Sequence, residues 1–259
     1  TVNPNVAMNV PDDQVVCHGA STEPIAFGTT LEDGAMGYTW ERTNDAIEVM
    51  PMWGEGDAMP GFVAENNTLS AQTATIAVTP TYTNNGVSCQ GSPVSFTVTV
   101  NPNVVMDTPE DRVVGHGAAI GPVVFGSTLE DGTMSYQWTR DNESVGGLPM
   151  SGEGDMAECV CYNTTPTVQT SVVTVVPTYT NNGVSCQGAP VTFTVTVNPG
   201  VGMEVPDDQV VCHGTAIEPV AFETTLEGVE ASYRWERDNE AIEGLPMSGE
   251  GDMAGCVCY

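Results

Sequence analysis

Ser95-Phe96-Thr97-Val98-Thr99-Val100 alternates hydroxyl and apolar side chains without interruption. Successive residues of a β-strand point to opposite faces, so this pattern gathers Phe96, Val98 and Val100 on one face, as in a half-buried strand. Just upstream, Pro80-Thr81-Tyr82-Thr83-Asn84-Asn85-Gly86-Val87-Ser88-Cys89-Gln90-Gly91 sets Asn-Gly between two strand-like runs. Asn and Gly supply the positive φ that a tight hairpin needs. The two stretches together predict the closing hairpin of an all-β unit.

Both stretches recur. The hairpin sequence returns unchanged from Pro177 to Gly188, and Phe193, Val195 and Val197 repeat the apolar face. Val2-Asn3-Pro4 reappears at Val100-Asn101-Pro102 and Val197-Asn198-Pro199, and the same spacing carries Trp40 to Trp138 and Trp235, and His18 to His116 and His213. Repetition at a fixed period marks a tandem array. It divides the chain into unit one (1–99), unit two (100–196) and unit three (197–259). The third ends at Tyr259, the counterpart of Tyr162, and reads as an incomplete copy.

Further strand signals lie at Gln14 to Cys17, Pro24 to Phe27, Met36 to Glu41, Ala71 to Thr83 and Pro93 to Val100. No stretch holds a helical period for three turns, and Gly and Pro interrupt the chain at short intervals. About seven short strands per unit predict tandem immunoglobulin-like β-sandwiches.

The composition narrows the partners. Among 259 residues, 34 are Asp or Glu and only five are basic, giving a net charge of -29. All five bases are Arg. Such a polyanion is repelled by nucleic acid and by anionic membranes, which require basic footprints, and its natural counterparts are cations. No apolar run is long enough to enter a bilayer, and no basic start precedes an apolar run as in a signal peptide. Eight Cys with little catalytic context fit an oxidising compartment.

Asp13-Gln14-Val15-Val16-Cys17-His18-Gly19, Tyr38-Thr39-Trp40, Gly54-Glu55-Gly56-Asp57 and the Thr79-to-Gly91 segment resemble the PKD-like, immunoglobulin-like repeats of giant Bacteroidetes surface proteins. Those proteins include gliding adhesins exported by the type IX secretion system. The resemblance spans all three units. It implies an exported chain held at the cell surface and brings no catalytic residues with it.

The cysteines differ among units. Cys17 ends an early strand and Cys89 lies in the closing hairpin, so a Cys17–Cys89 bridge closing a loop of about 70 residues is expected to contribute roughly 4 kcal/mol by loop entropy. Unit two has Gly115 in place of Cys17, which leaves Cys186 without a partner in its own unit, and Cys212 has none within unit three. Cys159-Val160-Cys161 and Cys256-Val257-Cys258 each place two thiols on one strand face, roughly 6.5 to 7 Å apart at Cα. Side chains that run parallel do not converge on the Cβ separation of about 4.5 Å that a bridge requires. These four thiols are read as replacements for core residues, with a disulfide between strands or between chains as the sharper alternative. Zinc is disfavoured, because a structural site takes four ligands.

Acidic pairs recur at Glu55 and Asp57, Glu153 and Asp155, and Glu250 and Asp252. Calcium accepts six to eight oxygens in irregular loops, so carboxylates flanking Gly turns are candidate ligands, and a solvated acidic surface is the alternative. Further pairs stand at Asp12-Asp13, Glu32-Asp33, Glu110-Asp111, Glu130-Asp131 and Asp207-Asp208. Each His precedes a Gly at a turn and is read as structural. No nucleophile, base and oxyanion donor recur together, so the chain is not expected to be an enzyme. The three recurring Trp are read as core packing, which leaves Trp53 as the one Trp outside the repeated position. Asn66-Asn67-Thr68, Asn142-Glu143-Ser144 and Asn163-Thr164-Thr165 match the N-glycosylation pattern.

These readings point to a structural repeat segment of an extracellular adhesin or stalk, serving attachment or gliding and contacting neighbouring repeats or copies of itself. Two alternatives remain open. One is a self-assembling filament subunit, completed by strand addition between chains. The other is a carbohydrate-binding module acting on surface glycans through exposed aromatics.

Overall fold

The structure is a computed structural model that describes residues 2–226 and 230–259. Unit one contains β1 (Gln14–Cys17), β2 (Ile25–Ala26), β3 (Ala35–Arg42), β4 (Trp53–Glu55), β5 (Ala58–Met59), β6 (Gln72–Asn84), β7 (Val87–Gln90) and β8 (Val94–Asn101), whose end runs past the expected boundary at 99. Unit two repeats them as β9 (Arg112–Gly115), β10 (Ala118–Ile120), β11 (Thr133–Arg140), β12 (Ser151–Glu153), β13 (Cys159–Cys161), β14 (Gln169–Asn181), β15 (Val184–Gln187) and β16 (Val191–Asn198). Unit three retains β17 (Thr215–Ala216), β18 (Arg234–Glu236), β19 (Ser248–Glu250) and β20 (Val257–Cys258). None of the described residues forms a helix.

Each complete unit is a two-layer sandwich. Its larger sheet runs β1-β8-β6-β3-β4 in unit one and β12-β11-β14-β16-β9 in unit two, while β2 with β5, and β10 with β13, lie in the opposing layer. The long strands β6 and β14 organise the sheet. Alternate residues of β6, among them Ala74, Ile76 and Val78, face Phe96, Val98 and Val100 of β8 in one core with Phe27, Trp40, Met59 and Ala64. Burial on that scale is what stabilises such a unit, at about 25 cal/mol for each Å² of apolar surface removed from water.

The Asn-Gly hairpin forms as expected. Asn85 and Gly86 have φ of 49° and 78°, and Asn182 and Gly183 repeat this at 48° and 78°. The strand that returns from the turn is interrupted. Thr81 pairs with Gln90, but Val78 pairs with Val94, so between these pairs three residues of the returning strand oppose two of β6. A bulge of this kind bends the strand, and here it surrounds Pro93, which has no N–H to give to the ladder.

The described residues of unit three hold counterparts of β10 to β13. Nothing among the described residues stands in the place of β14 to β16, and the consequences are local. Gln209–Cys212 forms no strand, because the parallel partner that holds β9 (β16) has no counterpart. The equivalent of β11 shrinks to Arg234–Glu236. Ile242 is 41% exposed although Val145, its counterpart, is fully buried.

Candidate functional site

β1 runs parallel to β8, in a register that sets Cys17 opposite Asn101 at the edge of unit one nearest unit two. The hairpin of β14 and β15 brings Cys186 to the same edge. Cys17 and Cys186 form a disulfide with Cα atoms 5.5 Å apart, linking two units across 169 residues of sequence. The expected Cys17–Cys89 bridge is therefore corrected. Cys89 sits on β7 at the opposite pole of unit one, where Asn3 Nδ2 approaches its sulfur at 3.4 Å, and it is a free thiol. A first-strand cysteine and a hairpin cysteine of the same sandwich lie at opposite ends and cannot meet.

The disulfide lies in a small apolar junction. Val104, Tyr179 and Cys186 are buried there, packed against Cys17, Leu129 and Val184. Polar groups are matched across it. Asn181 Nδ2 donates to Asn101 Oδ1 at 3.0 Å, and Asn101 Nδ2 approaches Cys186 Sγ at 3.4 Å. The backbone N–H groups of Asn103 and Glu130 donate to the carbonyls of Asn66 and Leu69 at 3.0 and 2.8 Å. Asn101 is fully buried, so its hydrogen bonds offset a desolvation cost of about 1–3 kcal/mol that an unpaired amide would carry. Sequence reasoning held the needed signal, since Cys186 had no partner in its own unit, but matched Cys17 within unit one.

Two of the six acidic residues proposed for calcium hold backbone N–H groups with their carboxylates. Asp155 Oδ1 accepts the N–H of Phe125 at 2.9 Å, and Asp252 Oδ1 accepts that of Phe222 at 3.0 Å. Glu153 accepts from Gln137 Nε2 at 3.3 Å across β11 and β12. Asp57 engages through its backbone, where its carbonyl accepts the N–H of Phe27 at 2.7 Å. Glu55 and Glu250 sit on the hairpin strands β4 and β19, opposite Thr39 and Arg234. Among the described residues, no three Asp, Glu, His or Cys side chains converge as a metal set. Burial first, and then the Asp57 carboxylate, raises the Tyr38 phenol; burial, Asp107 and Asp155 do the same for Tyr136.

One thiol of each pair is interior. Cys161 is fully buried in the core of unit two, with Cys159 packed against it. Burial and the neighbouring Cys159 push the Cys161 thiol up to about 11, so it is neutral and unreactive near pH 7. Cys161 offers another chain no sulfur surface, and Cys258 is also buried, with Cys256 half-buried beside it. The core-replacement reading fits this placement.

Other repeated residues hold the framework. His18 Nδ1 accepts the N–H of Asn66 at 2.9 Å, and His116 Nδ1 lies 3.2 Å from the corresponding nitrogen of Asn163. Asn66 and Asn163 are buried; Asn163 Nδ2 donates to the carbonyls of Thr167 and Val197, both at 2.8 Å. Two of the three glycosylation matches are thus interior amides that tie a loop to β8 or β16. Trp40 and Trp138 are buried, whereas Trp53 is 72% exposed beside Thr39, Glu41 and Thr79, in a recess of about 260 Å³.

No curated protein sequence matches the chain. Solved structures with similar strand arrangements include a three-domain immunoglobulin segment of titin, at 10% identity and TM-score 0.43, covering 98% of this chain and 88% of that one. Human desmocollin-1 ectodomain aligns at 12% identity and TM-score 0.34, over 96% of this chain and 52% of its own. A SusE-like surface-located polysaccharide-binding protein from the heparin utilisation locus of Bacteroides thetaiotaomicron aligns at 9% identity and TM-score 0.28, over 96% of this chain and 44% of its own. Residues 126–201, which hold β11 to β16, match the PKD-like domain family, and the fold of the complete units is the PKD-like, immunoglobulin-like β-sandwich.

Proposed function

We infer that the chain is a structural segment of a cell-surface adhesin or stalk, in which each repeat adds length and the junctions add stiffness. The observation that carries this reading is the junction between units one and two, where the Cys17–Cys186 disulfide and the buried cluster around Tyr179 hold consecutive sandwiches together. Free domains on a flexible tether need neither feature, and both resist bending at this junction. A disulfide of this kind persists outside the cytosol, which supports an extracellular location. The acidic surface keeps neighbouring copies apart.

Small-angle scattering of the oxidised chain should give an extended particle whose maximum dimension is unchanged by salt, and reduction should broaden the distribution at one junction. A profile equally flexible before and after reduction overturns the stiffening role. Antibodies to the chain should label intact source cells, and labelling only after permeabilisation overturns the surface location.

A further inference from the structure

The pole of unit two that receives unit one is reproduced on unit one itself. Val104, Leu129, Tyr179, Val184, Ser185 and Cys186 of the junction correspond to Val6, Leu31, Tyr82, Val87, Ser88 and Cys89, identical at every position. The local geometry is also repeated. Asn3 Nδ2 lies 3.4 Å from Cys89 Sγ, as Asn101 Nδ2 lies 3.4 Å from Cys186 Sγ. The difference is in cover. Val184 is half-buried against unit one, while Val87 is 58% exposed.

We propose that this pole of unit one is a docking surface for one further repeat of the same type joined ahead of Val2, whose first-strand cysteine forms a disulfide with Cys89. The proposal rests on the stalk reading and names the partner that extends it. The established junction supplies the rule that the first-strand cysteine of one repeat bonds the hairpin cysteine of the next. By this rule Cys89 is a receiving half, Cys212 is a donating half, and Gly115 makes the junction of units two and three a joint without a staple. The bond forms by thiol–disulfide exchange with a small-molecule disulfide such as oxidised glutathione. One protein thiolate attacks the reagent and releases one thiol. The second protein thiolate then attacks the mixed disulfide and releases another, so two protein thiols lose two electrons and two protons in all.

The test extends the full chain with a second copy of residues 2–99 fused ahead of Val2, refolded with oxidised and reduced glutathione and mapped by non-reducing peptide mass spectrometry. The expected map contains Cys89 linked to the Cys17 of the added copy, together with Cys17–Cys186, and Cys89 resists alkylation until reductant is added. The Cys17→Ser substitution in the added copy should restore alkylation of Cys89. An alkylatable Cys89 in the extended chain, or protection that survives Cys17→Ser, overturns the proposal while Cys17–Cys186 still upholds the stalk. Loss of Cys17–Cys186 from the map instead overturns the stalk reading. Disulfide dimers of the unextended chain through Cys89 and Cys212 would overturn the assignment of a tandem partner in favour of a second copy.

Discussion

A methyl group on Gly152 would lie 2.4 Å from Trp138 Cζ2, and Gly54 and Gly249 meet Trp40 and Trp235 in the same way. The glycine that opens each Gly-Glu-Gly-Asp motif is thus a slot for the core tryptophan. Gly152→Ala should destabilise unit two by about 1–3 kcal/mol, the usual cost of overpacking, read as a lower urea midpoint by Trp fluorescence. Asn163→Ala should also cost about 1–3 kcal/mol, because it strands the Thr167 and Val197 carbonyls that its amide now satisfies. Cys161 makes a pH prediction. Its thiol holds its proton to about 11 when folded and releases it near the ordinary value of about 9 when unfolded. The folded state therefore binds more protons between those values, and stability should fall as pH rises through that window. Urea midpoints at pH 8 and pH 11 check the sign, and Cys161→Ala should flatten the slope. At this scale the buried Trp was legible from its repetition, but the roles of Asn66 and Asn163 were not, because a three-residue glycosylation match looks the same whether its amide faces solvent or a strand.

Short turns decide the elements. Asp33 and Asp131 adopt φ of 64° and 63°, and the Glu32 and Glu130 carbonyls before them accept the hydroxyls of Tyr82 and Tyr179 at 3.1 and 2.8 Å. Two of the recurring acidic pairs are therefore turns that anchor a tyrosine. Replacing Asn182 and Gly183 together with Ala should cost about 1–2 kcal/mol per residue, since each must hold a left-handed conformation; thermal unfolding of the variant measures it. β3, β6 and β8 could be read from alternation because each has one face in the core. β4 and β5 could not. They span three and two residues, too few for a period to show, and are fixed by the strands they pair with.

Across the molecule, the junctions are unequal. Cys17→Ser with Cys186→Ser removes a cross-link spanning 169 residues, for which loop entropy predicts a loss of about 5 kcal/mol to the stapled pair. Calorimetry should show a lower transition for units one and two, while unit three is unchanged. The repeat, the sandwich and the acidic surface were determined by the sequence alone, because alternation, Asn-Gly turns and near-identical copies are local signals that need no knowledge of neighbours. Three outcomes belonged to the tertiary structure. Cys17 reaches Cys186 rather than Cys89 because a sandwich sends its first strand and its closing hairpin to opposite poles, and only stacking brings the pole of one unit to that of the next. The carboxylates of Asp155 and Asp252 accept the backbone N–H groups of Phe125 and Phe222, some thirty residues away in sequence, because the fold brings those loops together. Asn66 and Asn163 turn inward because their amides satisfy carbonyls of β8 and β16, strands that only packing brings to them.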